Sequence, residues 1–428
     1  MAAGLGTRMR SNLPKHLHPI LGRRMVDWVL ESARALGVKP LVVVAAPATA
    51  AAFDGMAIVV QDEPRGTGDA VRCARDVLDG MADDVLVLSG DTPLLTTEVL
   101  RELVQTHRRE AVAATVLSFE PDDPKQYGRV VRGVDGGLSA IVEFRDATEE
   151  QRAVGEVNSS IYVFRADKLW TVLDRLTPHN AQGELYLTDS VGLLVEEGDR
   201  VAVHKGEDPV ETEGVNTRVE LAAATAALRD RINEEHMLAG VTIVDPASTW
   251  IDADAVLEPD AVIHPFTVIR GASRIAARAE IGPHAVVVEA TVGEDALVGP
   301  FCYLRPGTVL GTGAKAGTFV EIKNSRVGDR TTVPHLTYLG DADVGADTNI
   351  AAGNITANQQ HTRVKERTTI GRNVRTGVDN VFVAPVSVGD DAWIAAGSVI
   401  TEDVPPGALA IARAKQVNKE GRGGKRND

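Results

Sequence analysis

The sequence predicts an α/β chain in two parts, a Rossmann-like sheet domain followed by a left-handed parallel β-helix. Three observations carry that prediction. Valine-rich runs alternate with helical stretches through the first half, a glycine-rich basic loop opens the chain, and aliphatic residues recur every sixth position from Ile251 onward.

In the first half, "PLVVVAAP" (40–47), "AIVVQDE" (57–63) and "DDVLVLSGD" (83–91) read as short buried strands. Between them "MVDWVLESARALG" and "TGDAVRCARDVLDGM" place apolar residues at helical spacing. The alternation predicts a mostly parallel sheet with helices on both faces, and such sheets bind ligands at the carboxyl ends of their strands. The opening stretch "MAAGLGTRMRSNLPK" belongs at such an end. Gly4 and Gly6 let the backbone approach a ligand, successive N–H groups form an anion-binding concavity, and Thr7, Arg8 and Lys15 add a hydroxyl and two cations. This pattern fits a phosphate cradle; from the glycines alone it equally fits a surface turn. Asp91 directly follows a strand, where a carboxylate serves either as a metal ligand or as a cap. The loop requires a strand before it, and only Met1 stands there. The expectation is that the first strand is missing because the start of the chain was lost or assigned late.

From 218 to 240 the composition turns to Ala, Leu, Arg and Glu, which predicts a connecting helix ended by Gly240. The predicted organisation is therefore 1–217, a helical linker 218–240, and 241–428. In the last part the aliphatic series runs Ile251, Leu257, Ile263, Ile269, Ile275, Ile281, Val287, slips by one residue, and resumes at Val292, Val298, Leu304, Leu310, Ala316 and Ile322. It continues through Val327, Val333, Leu339, Val344 and Ile350, and returns at Ile370, Val388, Ile394 and Ile400. Period six is the signature of a hexapeptide β-helix, three hexapeptides to a coil, with the aliphatic residue inward and Gly or Asp at the corners. Segment 351–369 lacks the period and reads as a projecting loop, the kind of element that carries function.

Bulk properties narrow the function. A length of 428 residues favours two or three domains, and 4% aromatic content with 40 Gly and 20 Pro favours a turn-rich architecture of small and branched residues. A formal charge of −15 argues against nucleic-acid or anionic-membrane partners. The two cysteines, Cys73 and Cys302, suggest neither a disulfide framework nor a cysteine metal site. No apolar run approaches a membrane span and no signal peptide is visible, so a cytoplasmic location is expected.

The ordered motifs "AAGLGTRM…PK", "RGTGDAV", "LSGDTPL", "YGRVV", "IVEFRDAT", "EVNSSIYVF", "GELYLTD" and "EGVNTR", then "LRPGTVL", "FVEIKNS", "HLTYLGDADVG" and "NITAN", closely resemble the bacterial bifunctional N-acetylglucosamine-1-phosphate uridyltransferase and glucosamine-1-phosphate acetyltransferase family. The resemblance covers essentially the whole chain. It implies a nucleotidyltransferase first domain, an acetyltransferase β-helix, and synthesis of UDP-N-acetylglucosamine from small-molecule substrates: UTP, acetyl-CoA and amino-sugar phosphates. It puts Ala2, Ala3, Gly4, Gln61, Gly66 and Thr67 at the nucleotide, with Arg8 and Lys15 acting at its phosphates. Gly128, Glu143, Asn158 and Asn216 would bind the sugar, and Asp91 and Asn216 would hold Mg²⁺. In the second domain it makes His335 the base that accepts a proton from the attacking amine, a task a neutral imidazole suits. Arg305 and Lys323 would clamp the sugar phosphate. Tyr338 and Asn349 would orient the sugar, and Ala352, Asn358, Ala396 and Arg413 would line the acetyl-CoA path. It also implies a homotrimer with active sites shared between neighbours.

The departures cluster on the coenzyme side. Asn358, Gln359, Gln360 and His361 stand where the family commonly reads Asn-Tyr-Asp-Gly, and the loop after them is one residue longer. Val378 replaces a common serine, and Arg422 a frequent aromatic. The alternative they raise is a uridyltransferase only, whose acetyltransferase site is weakened or inactive because of Gln359, Gln360 and Val378.

Overall fold

The computed structural model describes residues 1–422 except Leu5, Asp135, Gln360 and Thr362. The chain forms two compact units, Met1–Leu228 and a second that begins at Arg229. The division falls inside one helix, Arg218–Leu238, in the stretch expected to connect the halves.

The first unit contains the expected strands β1 (Val42–Ala45), β2 (Ala57–Val60) and β3 (Asp84–Val87). They are followed by β4 (Ala114–Phe119), β5 (Arg129–Arg132), β6 (Leu138–Val142), β7 (Val157–Arg165) and β8 (Val201–Lys205). Among these strands, within the described residues, β1–β2 and β4–β8 are the parallel pairs. The nine-residue β7 runs antiparallel to β3, β4 and β5. The mostly parallel sheet expected in the first half is thus corrected: β1 and β2 form a two-stranded parallel sheet, and β3 to β8 a six-stranded mixed one. The β5–β6 hairpin and the long return strand β7 carry few helical crossovers, and antiparallel neighbours need none. Helix α1 (Met25–Leu36) buries Val26, Val29 and Leu30, and α2 (Thr67–Cys73) buries Ala70 and Val71. Met1 and Ala2 lie between β1 and β3: the Ala2 N–H donates to the Val44 carbonyl at 2.7 Å, and the Met1 ammonium to the Leu88 carbonyl at 2.7 Å.

The second unit is a stack of parallel coils. One ladder runs Ile251, Ile269, Val287, Leu304, Ile322, Leu339 in register. A second runs Leu257, Ile275, Val292, Leu310, Val327, Val344, Ile370, Val388. A third runs Ile243, Ile263, Ile281, Val298, Ala316, Val333. Every member is buried. Inward branched residues stacked on their equivalents form a continuous apolar column, which explains the period of six and the three-faced hexapeptide β-helix.

Two expectations need revision. The segment 351–369 is not wholly a projecting loop: Ile355–Ala357 is a strand of the coil, pairing with Tyr338 on one side and with Val381–Val383 on the other. Its inward residue is Thr356, whose hydroxyl bonds the backbone of Gly340, so a polar residue hid the period. The corners are also not all Gly or Asp. Along one edge the left-handed positions are Phe266, His284, Phe301, Phe319 and Leu336. The first four rings stack at centroid distances of 4.7, 4.9 and 5.3 Å, and that contact offsets the steric cost of a positive φ in a bulky residue.

Candidate active sites

In the first unit one cavity of about 880 Å³ is lined by the opening loop, by the carboxyl ends of strands and by the start of the long helix. Ala2, Ala3, Gly4, Arg8, Lys15, Gln61, Gly66, Thr67, Asp91, Gly128, Glu143, Asn158 and Asn216 all face it. The loop is held by local geometry. Gly6 has φ 59°, and a Cβ there would lie 2.5 Å from the Cβ of Lys15, so only glycine lets Lys15 fold back across the loop. Gly4 has no atom within 4 Å of a notional Cβ and borders open space.

The Lys15 ammonium pairs with the Asp91 carboxylate and donates to Asn216 Oδ1 at 2.9 Å; Arg8 Nη2 reaches the same oxygen at 2.9 Å. Burial pushes the Asp91 carboxyl up, but Lys15, with a hydrogen bond from Ser89, holds it below the usual carboxylate value. Two hard oxygen donors therefore already converge on a cation. Among the described residues no three His, Cys, Asp or Glu side chains gather as a metal cluster. One carboxylate and one amide oxygen fit an ion that keeps waters and takes phosphate oxygens, as Mg²⁺ does.

On the far wall, Gln61 donates to the Gly66 carbonyl at 3.1 Å and to Asp69 at 2.9 Å. The Thr67 hydroxyl accepts from the Leu187 N–H at 2.9 Å, fixing the turn. Gly66 has φ 114°, and a Cβ there would meet the Leu185 carbonyl oxygen at 2.5 Å. Glu143 lies beside Gly128 and accepts from Thr188 at 3.2 Å; burial raises its pKa. Asn158 Nδ2 donates to the Tyr162 hydroxyl at 2.7 Å.

In the second unit the residues assigned to acetyl transfer fall on two neighbouring faces and the edge between them. Leu304, Ile322 and Leu339 are in register, so Arg305 and Lys323, each one residue further on, stack in one outward column. Tyr338 lies beside it, its hydroxyl filling the space over Gly340, where a Cβ would sit 2.3 Å from it. Asn349 accepts from Thr332 Oγ1 at 2.7 Å, one coil beyond the strand that ends at the exposed His335. The register Tyr338, Ile355, Val381, Val399 carries His335, Ala352, Val378 and Ala396 to one edge in successive coils. Arg413 donates to the Ala396 carbonyl at 2.6 Å at the end of that line. Asn358 is turned toward Asp341, which also accepts from Asn324 at 2.5 Å. Gln359 bridges Lys365; Gln360 lies outside the described residues.

Comparison with known proteins gives the family. Residues 1–158 match the MobA-like NTP transferase domain, and residues 367–402 match the hexapeptide repeat of succinyl-transferase. The bifunctional protein GlmU of Mycolicibacterium vanbaalenii is 46% identical over 449 residues, covering 98% of this chain and 91% of the relative. That of Streptomyces avermitilis is 47% identical over 446 residues, covering 98% and 92%. That of Mycobacterium tuberculosis is 45% identical over 448 residues, covering 98% and 90%. The chain belongs to the bifunctional GlmU family. It is a two-activity transferase of the kind its motifs pointed to.

Set against the GlmU motifs, the structure adds residues that sequence reasoning missed. Glu220 accepts from the N–H groups of Asn216 at 2.7 Å and Thr217 at 2.9 Å, and so fixes the backbone that presents Asn216. The signal was present: Thr217-Arg218-Val219-Glu220 is a capping box. Tyr127 both donates to the Gly214 carbonyl and accepts from the Gly214 N–H, tying the β5 side of the cavity to the loop before Asn216. In the second unit Lys365 lies against Lys323, and this like-charged neighbour lowers the Lys323 pKa. A lysine in a segment without periodicity gave no signal. No helix among the described residues is long and apolar enough to cross a membrane.

Proposed function

We propose that the first unit transfers a uridylyl group from UTP to N-acetylglucosamine 1-phosphate, and that the second transfers acetyl from acetyl-CoA to glucosamine 1-phosphate. In the first reaction a sugar-phosphate oxygen attacks the α-phosphorus and pyrophosphate leaves. Arg8 and Lys15 neutralise the phosphates, Gln61, Gly66 and Thr67 receive the base, and Gly128, Glu143 and Asn158 receive the sugar. Asp91 and Asn216 would hold Mg²⁺, which supplies charge neutralisation at the phosphates. In the second reaction the amine attacks the thioester carbonyl, its proton passes to His335, and the coenzyme thiolate leaves. Arg305 and Lys323 take the sugar phosphate, Tyr338 and Asn349 orient the ring, and the pantetheine runs along the Ala352–Ala396 edge to Arg413. Asn358, bonded to Asp341, borders that path. The protein works as a cytoplasmic homotrimer, whose neighbours complete the second site.

The observation that carries this reading is the convergence of every residue named by the first set of motifs on one cavity. Two assays test it: pyrophosphate release from UTP and N-acetylglucosamine 1-phosphate with Mg²⁺, and thiol release from acetyl-CoA with glucosamine 1-phosphate. Absence of pyrophosphate release would remove the first assignment, and absence of thiol release the second. Sedimentation as a monomer would remove the trimer.

A further inference from the structure

Gln61 follows β2 directly, and its backbone N–H donates to the Ala45 carbonyl at 2.9 Å, so its place at the cavity wall is fixed by the end of β1. The side chain is buried, and the way its amide faces is set by what stands behind it. Nε2 donates to the Gly66 carbonyl at 3.1 Å and to Asp69 Oδ2 at 2.9 Å. Both partners, a peptide carbonyl and a carboxylate, only accept, so the nitrogen and not the oxygen must turn toward them. Asp69 is the third residue of α2, is only 4% exposed, and does not itself line the cavity. Its other oxygen, Oδ1, accepts from Arg72 Nη2 at 2.6 Å, and this ion pair compensates the buried carboxylate. With both amide hydrogens engaged, Gln61 offers a ligand in the cavity only its carbonyl oxygen.

We propose that Asp69 is a positioning residue that makes the base site select a ring N–H donor, and so the imide of uracil over cytosine. The inference rests on the function proposed above, which puts Gln61 at the base. Uracil carries an N–H at N3, where cytosine carries a lone pair. An oxygen held toward that position bonds the first; toward the second it faces another acceptor with no proton between them. A site built to complete one hydrogen bond discriminates against a ligand that cannot make it, because its own buried group is left unsatisfied. A glutamine free to rotate would lose that discrimination, since its amide matches a donor in one orientation and an acceptor in the other. The carboxylate behind it removes the second orientation. Asp69→Asn reverses the arrangement. The Arg72 guanidinium still needs an acceptor and takes the oxygen of the new amide, so the amide hydrogens face Gln61. The glutamine then turns its oxygen toward them and its nitrogen toward the base.

The test measures pyrophosphate release and, by calorimetry, binding for UTP and CTP, with the full-length natural protein and its Asp69→Asn variant. The natural protein is expected to prefer UTP by at least about 30-fold, in affinity and in kcat/KM. A smaller preference for UTP in binding overturns the proposal. In Asp69→Asn the UTP-to-CTP ratio is expected to fall by at least about tenfold, with CTP bound better than by the natural protein. A loss shared equally by both nucleotides is what a general loosening of α2 would produce, and it overturns the proposal. Should Asp69→Asn not fold, Asp69→Ser, whose hydroxyl donates or accepts, is held to the same fall in the ratio. Preferential binding of UTP without any pyrophosphate release keeps the oriented amide and rejects uridylyl transfer, so the two fail separately.

Discussion

The ammonium of Lys15 occupies the space between the carboxylate of Asp91 and the amide oxygen of Asn216, the two groups assigned to the metal. On that assignment a cation from solution would compete with the ammonium for the same oxygens. Lys15→Ala is expected to lower uridylyl transfer about 10²–10³-fold, because a charge aimed at the transferring phosphates is lost. The same substitution is expected to tighten Mn²⁺ binding to the nucleotide-free protein, since no ammonium need be displaced. Electron paramagnetic resonance titration of Mn²⁺ measures this, and weaker binding in the variant would reject the competition.

The loop and the period show how far a sequence reading reaches. Gly6 and Lys15 could be read as parts of one loop at a site because the required residue types lie close together in the chain, and both line the cavity. The inward aliphatic column was visible because each member repeats one local environment. What stayed hidden was set by partners distant in sequence. The antiparallel run of β7 depends on pairing with β3 and β4, strands far earlier in the chain. Thr356 broke the aliphatic pattern because its hydroxyl finds Gly340 one coil earlier. The ring ladder from Phe266 to Phe319 follows from stacking between coils, which single-position corner preferences do not encode.

Glu220 is expected to act by position alone. Glu220→Ala removes the acceptor for two N–H groups at the start of the long helix, which costs roughly 1 kcal/mol of stability. It also frees the Asn216 backbone. Uridylyl transfer should fall about tenfold, chiefly through a higher requirement for the metal, and a raised Mg²⁺ concentration should recover most of it. Failure of Mg²⁺ to recover activity would assign Glu220 a different role.

His16 lies buried against Phe53, and its Nε2 has no hydrogen-bond partner among the described residues. Burial, followed by the Met1 and Lys15 charges, lowers its pKa from 6.5 to about 4. Between those values the unfolded chain binds a proton that the folded chain refuses. Acidification from pH 6.5 to 4 therefore removes stability, of order 3 kcal/mol from this group, and the loss levels off below about pH 4. Urea unfolding of the first unit at pH 7 and 4.5 should show a smaller difference for His16→Gln than for the natural chain. An equal difference in both would exclude His16 as a source.

Ile322 sits in the middle of the aliphatic column, fully buried between Leu304 and Leu339. Ile322→Ala should cost roughly 2–4 kcal/mol through lost burial and a cavity that the flat coils cannot close. Lys323 is the next residue, so acetyl transfer should fall with it, while pyrophosphate release by the first unit stays within twofold. A parallel loss of both activities would contradict the independence of the two cores.

Val378 lies on the edge that begins at His335, one coil beyond Ala352 and one before Ala396, and its side chain is exposed. A hydroxyl at that place could bond a pantetheine amide, whereas a valine offers only an apolar surface. The loss of one such bond is worth about 0.5–1.5 kcal/mol, or roughly two- to tenfold in affinity. Val378→Ser should therefore lower the KM for acetyl-CoA by about that factor while leaving kcat and uridylyl transfer unchanged, because neither His335 nor the first unit is touched. The direction separates two accounts of the coenzyme-side departures. A lower KM means that the valine weakens an otherwise competent acetyl-CoA path. A KM that stays the same or rises means that the path along this edge is built around the valine, and that Gln359 and its neighbours do not signal a failing site.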